Sequence, residues 1–160
     1  MGSLKPPPGA ALSLSSELGT LLSRARRLSL GAVVRGLEAS GESFFAWQML
    51  VRLIRSGPLS QRALAQSTTY TEPVISRLLV GLERQGLVRR RRPSSDRRRR
   101  EVEITPRGLA AFRRMEPLVA AAVDSVMTPL SKAERRALRE LLARVVDFSE
   151  RAPGASSPAA

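Results

Sequence analysis

Apolar side chains recur every three or four residues along most of this chain, which is the period of a helix with one buried face. The first such run predicts a helix over about 13–37 that ends at the Ser40-Gly41 break. A second helix is predicted over about 44–55, because Ser43 is a favourable N-cap and Gly57-Pro58 interrupts the pattern. The apolar stripe of the first helix consists of Leu14, Leu18, Leu21, Leu22, Ala25 and Leu28.

A short helix, a tight turn and a longer helix follow. Ser60 is the predicted N-cap of a helix over 61–66, and Thr71 is an N-cap candidate for the next helix, with Pro73 in its first turn. Gly86 is placed to end that helix in the left-handed conformation. The longer helix carries an apolar stripe that we interpret as core, formed by Ile75, Leu78, Leu79 and Leu82.

A β-hairpin is predicted around the most basic part of the chain. Four arginines, 89–92, follow Leu87-Val88, and the stretch 101–105 alternates charged and apolar residues like a half-buried strand. The hairpin therefore has a basic tip. Since alternate residues face opposite sides, some of Arg89 to Arg92 should pair with Glu101 and Glu103 across the strands.

Two more helices are predicted after the hairpin. Thr105-Pro106 combines an N-cap with a proline in the first helical position, and the helix that starts there continues to Thr128-Pro129. Ser131 and Glu134 form a capping box that begins the last helix. The apolar positions are Leu109, Phe112, Met115, Val119, Ala122 and Val126 in the first of the two, and Leu138, Leu141, Leu142, Val145 and Val146 in the second.

These elements predict a mainly α fold with a small β-hairpin wing. The tails, residues 1–11 and 151–160, have few large apolar residues and are expected to be disordered. Residues 43–105 form a predicted winged helix-turn-helix lobe, flanked by an N-terminal helix in 12–42 and C-terminal helices in 106–150.

The terminal helices predict a homodimer. They are rich in Leu and Val, and they carry more apolar surface than a small lobe can bury. A symmetric partner would cover that surface, so we interpret both regions as dimerisation helices. The alternative is an intramolecular bundle packed on the lobe.

Composition removes several classes of function. The chain has no Cys and no His, which excludes thiol chemistry, histidine-ligated metals and histidine-dependent catalytic pairs. We therefore expect neither enzymatic activity nor a cofactor or metal. The longest apolar run, Leu118 to Val123, is far shorter than the ~20 residues of a membrane span, so a soluble cytoplasmic protein is expected.

Charge points to nucleic acid. The 160 residues carry a formal net charge of +13. Two blocks of four arginines, residues 89–92 and 97–100, lie on the predicted hairpin. A solvated charge run is the ordinary interpretation of such a block, but strand signals and a turn bracket this one. A membrane-surface helix would instead need its basic face opposite a broad apolar face.

The candidate DNA contacts lie in three places. The first turns of the helix after Thr71 would bring short polar side chains and Arg77 to base edges in the major groove, and Arg77 can bind guanine bidentately. Glu72 could accept from cytosine or simply favour the helix dipole, and Ser60 could hold a phosphate or simply cap its helix. The candidates are Thr71, Glu72, Pro73, Val74, Ser76 and Arg77 in the helix, Ser60, Gln61 and Arg62 before it, and Asp96, Arg97, Arg98 and Arg99 at the wing tip.

The chain resembles the MarR family of winged-helix transcriptional regulators. The resemblance covers about 12–148. It rests on the ordered motifs Gly57-Pro-Leu-Ser60, Leu64-Ala65, Ile75-Ser76-Arg77-Leu78, Leu82-Glu83-Arg84-Gln85-Gly86-Leu87-Val88, Asp96-Arg97-Arg98, Ile104-Thr105-Pro106-Arg107-Gly108 and Leu130-Ser131-Lys132-Ala133-Glu134.

This resemblance implies a homodimer that binds a palindromic operator through two wing-and-helix lobes and is released by small anionic or phenolic effectors. Arg77 matches the family's recognition-helix arginine, and Asp96 with Arg97 and Arg98 matches its wing motif. The chain departs from the usual pattern at Pro73-Val74 and at Thr68 and Tyr70, so the operator sequence is not inferred. The cysteine of the peroxide-sensing branch is absent.

The function expected from the sequence is therefore a sequence-specific, ligand-responsive DNA-binding regulator, most simply a repressor. The alternatives are a sequence-independent architectural or RNA-binding winged helix, and a small-molecule-binding or protein-interaction domain whose charge serves solubility. The resemblance places the helices that carry most of the scarce aromatic residues around the family's ligand cavity, which implies an effector pocket. Plain core packing is the alternative. The candidate residues of the pocket are Arg24 or Arg27, Phe44, Phe45, Trp47 and Phe112.

Overall fold

The computed structural model describes residues 13–92 and 100–151, and in these ranges it is mainly helical with one small antiparallel sheet, as predicted. No helix within these ranges is both long and apolar enough to cross a bilayer. The helices are α1 (Leu14–Glu38), α2 (Phe44–Ser56), α3 (Gln61–Gln66), α4 (Glu72–Arg84), α5 (Pro106–Val126) and α6 (Lys132–Arg151). The strands are β1 (Leu59–Ser60), β2 (Val88–Arg91) and β3 (Glu101–Ile104).

Most predicted helix ends have the expected capping chemistry. The hydroxyls of Ser13, Ser43 and Ser60 each accept a hydrogen bond from the backbone amide three residues later, at 3.3, 3.3 and 3.1 Å. Thr71 occupies the N-cap position of α4, but its side chain makes no capping hydrogen bond. Gly86 has φ +69° and ends α4, so the predicted left-handed cap is confirmed.

The sheet has three strands in the order β1-β3-β2, one more than the predicted hairpin. Leu59 lies opposite Val102, and Ser60 lies opposite Glu101. The sequence pattern did not reveal β1 because a strand of two residues has no measurable alternation. Its pairing places β3 in the centre, so the wing is attached to the segment between α2 and α3 as well as to α4.

One core joins the C-terminal part of α1, α2, α3, α4, the sheet and the first half of α5. Ile75, Leu79 and Leu82 of the predicted stripe are buried, while Leu78 is half-buried. Aliphatic side chains dominate, in agreement with an aromatic content of 4%. The buried apolar residues are Val33, Leu37, Ala46, Met49, Leu50, Leu53, Leu64, Ala65, Ile75, Leu79, Leu82, Leu87, Val88, Val102, Ala111 and Met115.

The junction between the wing and α5 is close-packed. The hydroxyl of Thr105 donates to the carbonyl of Gly86 at 2.6 Å and accepts from the amide of Gly108 at 3.0 Å. The amide of Thr105 donates to the carbonyl of Leu87 at 3.1 Å. The end of α4, the end of β3 and the start of α5 are thus held together by one residue.

The described residues divide into two compact units, one that ends at Val123 and one that begins at Asp124. In the first unit, α1 buries Val33 and Leu37 near its C-terminal end, but the leucines of its N-terminal half are exposed, Leu14 by 72% and Leu21 by 60%. In the second unit, α6 exposes Leu141, Leu142, Val145, Val146 and Phe148.

In the second unit, α6 begins at the predicted capping box. The amide of Ser131 donates to the Glu134 carboxylate at 2.8 Å, and the amide of Glu134 donates to the Ser131 hydroxyl at 3.3 Å. Hydrogen bonds from the side chain and then the backbone of Ser131 lower the pKa of Glu134. Asp124 pairs with Arg135 at 2.8 Å.

Gly108→Ala is predicted to destabilise the protein. A Cβ at this position would lie 2.0 Å from the carbonyl oxygen of Leu87 and 2.8 Å from Cγ1 of Ile104. The backbone must therefore shift, at a cost of roughly 1 to 3 kcal/mol in the free energy of unfolding, measured by urea denaturation. Gly81→Ala is the control, because a Cβ there meets nothing within 4 Å and should stabilise α4 by up to about 1 kcal/mol. Equal stabilities for the two variants would contradict the close contact.

Candidate nucleic-acid interface

The exposed face of α4 carries the predicted base-contacting residues. Glu72, Pro73 and Arg77 are exposed, and Val74 and Ser76 are half-buried. Arg77 lies two residues after the buried Ile75 and therefore points away from the core stripe. The first two turns of the helix thus present a carboxylate, a hydroxyl and a guanidinium together, the groups that read base edges in a major groove.

Of the three residues predicted to hold a phosphate, Ser60 and Gln61 make hydrogen bonds within the protein and Arg62 is exposed. The hydroxyl of Ser60 caps α3, and the side-chain amide of Gln61 donates to the backbone carbonyl of Glu72 at 3.3 Å. Arg62 is exposed. Gln61 therefore connects α3 to the start of α4, and Arg62 is the side chain of the three that extends into solvent.

Arg52 of α2 binds the turn between α3 and α4 through hydrogen bonds, a contact that the sequence pattern did not predict. Its Nε and Nη2 atoms donate to the carbonyl oxygen of Ser67 at 3.0 and 2.6 Å, and its Nη1 donates to the carbonyl of Gln48 at 3.0 Å. Burial, followed by repulsion from Arg55, lowers the pKa of Arg52, against the opposing effect of Tyr70. An arginine within an amphipathic helix gives no sequence signal that it binds a carbonyl 15 residues away.

The same turn is closed by Thr68 and Tyr70, two of the four residues at which the chain departs from the pattern of the family it resembles. The Thr68 hydroxyl donates to the carbonyl of Ala65 at 3.0 Å and accepts from the amide of Tyr70 at 3.2 Å. The ring of Tyr70 packs edge-on against Phe45, with ring centres 5.8 Å apart. Polar and aromatic contacts therefore fix the angle between α3 and α4 where a purely aliphatic turn would rely on packing.

The stem of the wing confirms the predicted cross-strand ion pairs. Arg89 lies opposite Glu103 and Arg91 opposite Glu101 in the strand register. The Arg89 Nε atom is 2.5 Å from the Glu103 carboxylate, and the Arg91 Nε atom is 3.2 Å from that of Glu101. Arg91 also reaches Glu103 at 3.5 Å through Nη1.

The third stem arginine lies on the other face, as the alternation of the strand predicts. Arg90 pairs across the strands with the buried Val102, and its Nε atom is 3.3 Å from the carboxylate of Glu83 in α4. This partner was missed because it belongs to a different element, and strand alternation predicts only partners in the neighbouring strand. The ion pair joins the wing to α4.

The wing-tip candidates Asp96, Arg97, Arg98 and Arg99 lie outside the described residues, which pass from Arg92 to Arg100. Within the described ranges, no group of three acidic residues is arranged to hold a metal ion.

The aromatic residues predicted to line an effector pocket divide into two groups. Trp47 of α2 stacks on Phe112 of α5, with ring centres 5.1 Å apart and planes 6° from parallel. Phe45 instead packs on Tyr70 at the turn before α4. Phe44 packs against the core, and Arg24 and Arg27 are exposed on α1.

Comparisons with known proteins agree with this architecture. A family model described as the MarR family matches residues 35–99. A putative transcriptional regulatory protein for the hcr operon of Thauera aromatica is 31% identical over 134 residues, which are 83% of this chain and 81% of that protein. The transcriptional repressor YetL of Bacillus subtilis is 31% identical over 120 residues, 72% of this chain and 70% of that protein.

The crystal structure of CouR from Rhodococcus jostii, bound to p-coumaroyl-CoA, is similar in fold. Its TM-score is 0.67 at 27% identity, and the match covers 84% of this chain and 95% of that chain. The helix-turn-helix, the three-stranded wing sheet and these relatives lead to one assignment. The chain belongs to the MarR family of winged helix-turn-helix transcriptional regulators.

Proposed function

We propose that this protein is a homodimeric repressor that binds a palindromic operator in duplex DNA, performs no chemistry and acts in the cytoplasm. The observation that carries the proposal is the exposed face of α4. It presents Thr71, Glu72, Ser76 and Arg77 beside a wing that is fixed to the same helix by the Arg90–Glu83 ion pair. The proposed readers of sequence are the residues 71–74, 76 and 77, and the proposed phosphate contacts are Ser60, Gln61, Arg62 and the wing tip 96–99.

Exposed apolar surface supports the dimer. α1 exposes Leu14, Leu18, Leu21 and Leu22 in consecutive turns, and α6 exposes a second apolar set that ends at Phe148. Contiguous apolar surface of this kind marks a protein interface. We therefore assign residues 12–42 and 106–150 to dimerisation, and residues 43–105 to DNA binding.

A palindromic operator follows from this proposed symmetry. Two identical lobes related by a twofold axis bind two identical half-sites in inverted orientation. Repression is the simplest outcome because a dimer on a promoter excludes the polymerase, and the similar protein YetL is named a repressor.

The alternative function is sequence-independent binding of duplex DNA or RNA, which the net charge of +13 favours. The two functions predict different results when random duplex competes with the operator for the protein. A specific regulator should retain its operator at ~10³-fold or more over random duplex, whereas an architectural protein should not discriminate. A domain whose charge serves only solubility would retard no duplex at physiological salt.

Arg77→Ala is predicted to weaken binding to the operator by about 1 to 3 kcal/mol and to relax the base preference at one position of each half-site. The operator is first selected from a random duplex library with the wild-type protein, and affinities are then measured on that duplex and on a scrambled one. Arg84→Ala is the matched control, because it removes the same charge from the exposed last turn of α4. Equal losses of Arg77→Ala on both duplexes would contradict a base contact.

We further propose that a small anionic or phenolic effector binds beside the stacked Trp47 and Phe112 rings, with Arg24 or Arg27 as the carboxylate partner. The stack joins α2, which precedes the DNA-reading helices, to α5, which follows the wing. A ligand wedged there could alter the position of one relative to the other. CouR, which is similar in fold, is bound to p-coumaroyl-CoA.

An effector of this class is predicted to quench the fluorescence of Trp47, the chain's single tryptophan, and to release the operator. At 100 times its Kd it should stabilise the folded state by about 2.7 kcal/mol, measured as a thermal shift. Suitable probes are p-coumarate and 4-hydroxybenzoate, with neutral phenol as the control for the carboxylate. An equal thermal shift in Trp47→Ala would contradict the involvement of the ring.

A further inference from the structure

The outer face of the wing stem is a closed set of opposite charges. Arg89 and Arg91 alternate on it with Glu101 and Glu103, and three contacts of 2.5 to 3.5 Å connect them. The two carboxylates are largely covered, with side chains 15% and 17% exposed. Each glutamate therefore forms an ion pair with an arginine of its own chain.

The inner face of the stem is matched in the same way, because Glu83 lies 3.3 Å from Arg90. The three arginines of β2 thus meet three carboxylates, so the charges of this strand are balanced. Arg92 and Arg100, the described residues next to the two long strands, are exposed.

We infer that Glu101 and Glu103 are specificity-determining residues that withhold Arg89 and Arg91 from DNA phosphates and so limit binding to random duplex. This inference rests on the proposed DNA-binding function. Phosphate contacts are independent of sequence, and each one gained adds about 0.9 to the slope of log K against log salt. Two carboxylates that compete with phosphate therefore weaken binding to any duplex, whereas base contacts from α4 do not involve them.

Stability alone gives a weak account of these glutamates. Exposed ion pairs contribute little to stability, and the side chain of Arg89 is 71% exposed. The same exposure means that this side chain could reach a phosphate once its carboxylate partner is neutral. In a protein that binds a polyanion, acidic groups beside the binding surface lower the affinity for every duplex. Their benefit is a larger difference in affinity between the operator and random DNA.

The test is a double replacement, Glu101→Gln with Glu103→Gln, in the full-length chain. Glutamine keeps the shape and an acceptor oxygen but removes the charge. We expect random duplex to bind about three- to tenfold more tightly at ~0.15 M salt, with a salt slope steeper by up to about 1.8. The selected operator should gain less, so the ratio of the two affinities falls.

The matched control is Glu38→Gln with Glu116→Gln, which gives the same change in net charge at exposed positions of α1 and α5. Both positions lie in the proposed dimerisation regions, so gel filtration must first show that this variant keeps the wild-type oligomeric state. It should leave the salt slope and the affinity ratio within error of wild type. A thermal melt of each variant verifies folding. If the control raises binding as much as the test pair, general charge is responsible and the inference is wrong.

A second variant removes Arg89 and its partner Glu103 without changing net charge. It also removes the 3.5 Å contact of Arg91 with Glu103, but Arg91 keeps its 3.2 Å contact with Glu101. Arg89→Gln with Glu103→Gln should bind both duplexes within about twofold of wild type, because the pair contributes no free cation. A tenfold loss on random duplex would show that Arg89 already contacts phosphate, which overturns the inference.

The outcomes also separate this inference from the function beneath it. If wild type binds neither duplex, the proposed DNA-binding function itself fails. If wild type discriminates normally and the Glu101→Gln, Glu103→Gln protein has unchanged affinities and slope, only the role of the glutamates fails.

Discussion

The DNA-binding lobe depends on the close contact around Thr105. Its hydroxyl and amide bind the carbonyls of Gly86 and Leu87, and the missing Cβ of Gly108 allows α5 to approach the same strand. Gly86 supplies the positive φ that turns the chain out of α4 and into the wing. Because these contacts meet at one point, the recognition helix, the wing and α5 cannot change their angles independently. A helix that reads bases needs such a fixed reference, since half an ångström of displacement removes a bidentate contact.

Distribution of charge, rather than its total, connects this framework to function. The chain carries +13, yet the wing stem and the junction between β2 and α4 pair their arginines with glutamates, and Arg52 is committed to the carbonyl of Ser67. The arginines so used maintain the geometry of the lobe. In the proposed function, attraction to phosphate is left to other cations, such as the exposed Arg62.

The sequence predicted those parts of the fold that depend on local chemistry. Serine caps, helical spacing, the Gly86 terminus and the cross-strand pairs of Arg89 and Arg91 all follow from residues near one another in the chain or directly opposite in a hairpin. The tertiary contacts did not follow. Arg52 and Ser67, Arg90 and Glu83, and the closeness of Gly108 to Leu87 each join separate elements, and no periodicity encodes such partners. The strand β1 was not predicted because two residues are too few to show an alternation of apolar and polar side chains. The ring contacts, Trp47 with Phe112 and Phe45 with Tyr70, likewise join separate elements, and the sequence pattern did not predict them.

The central claim is that two copies of this lobe bind one duplex in twofold symmetry. Hydroxyl-radical footprinting on an operator selected from a random library tests it most directly. The account predicts two protected half-sites in inverted orientation, with centres about one helical turn or a whole multiple of it apart. A single asymmetric patch, or uniform protection along the duplex, would contradict it.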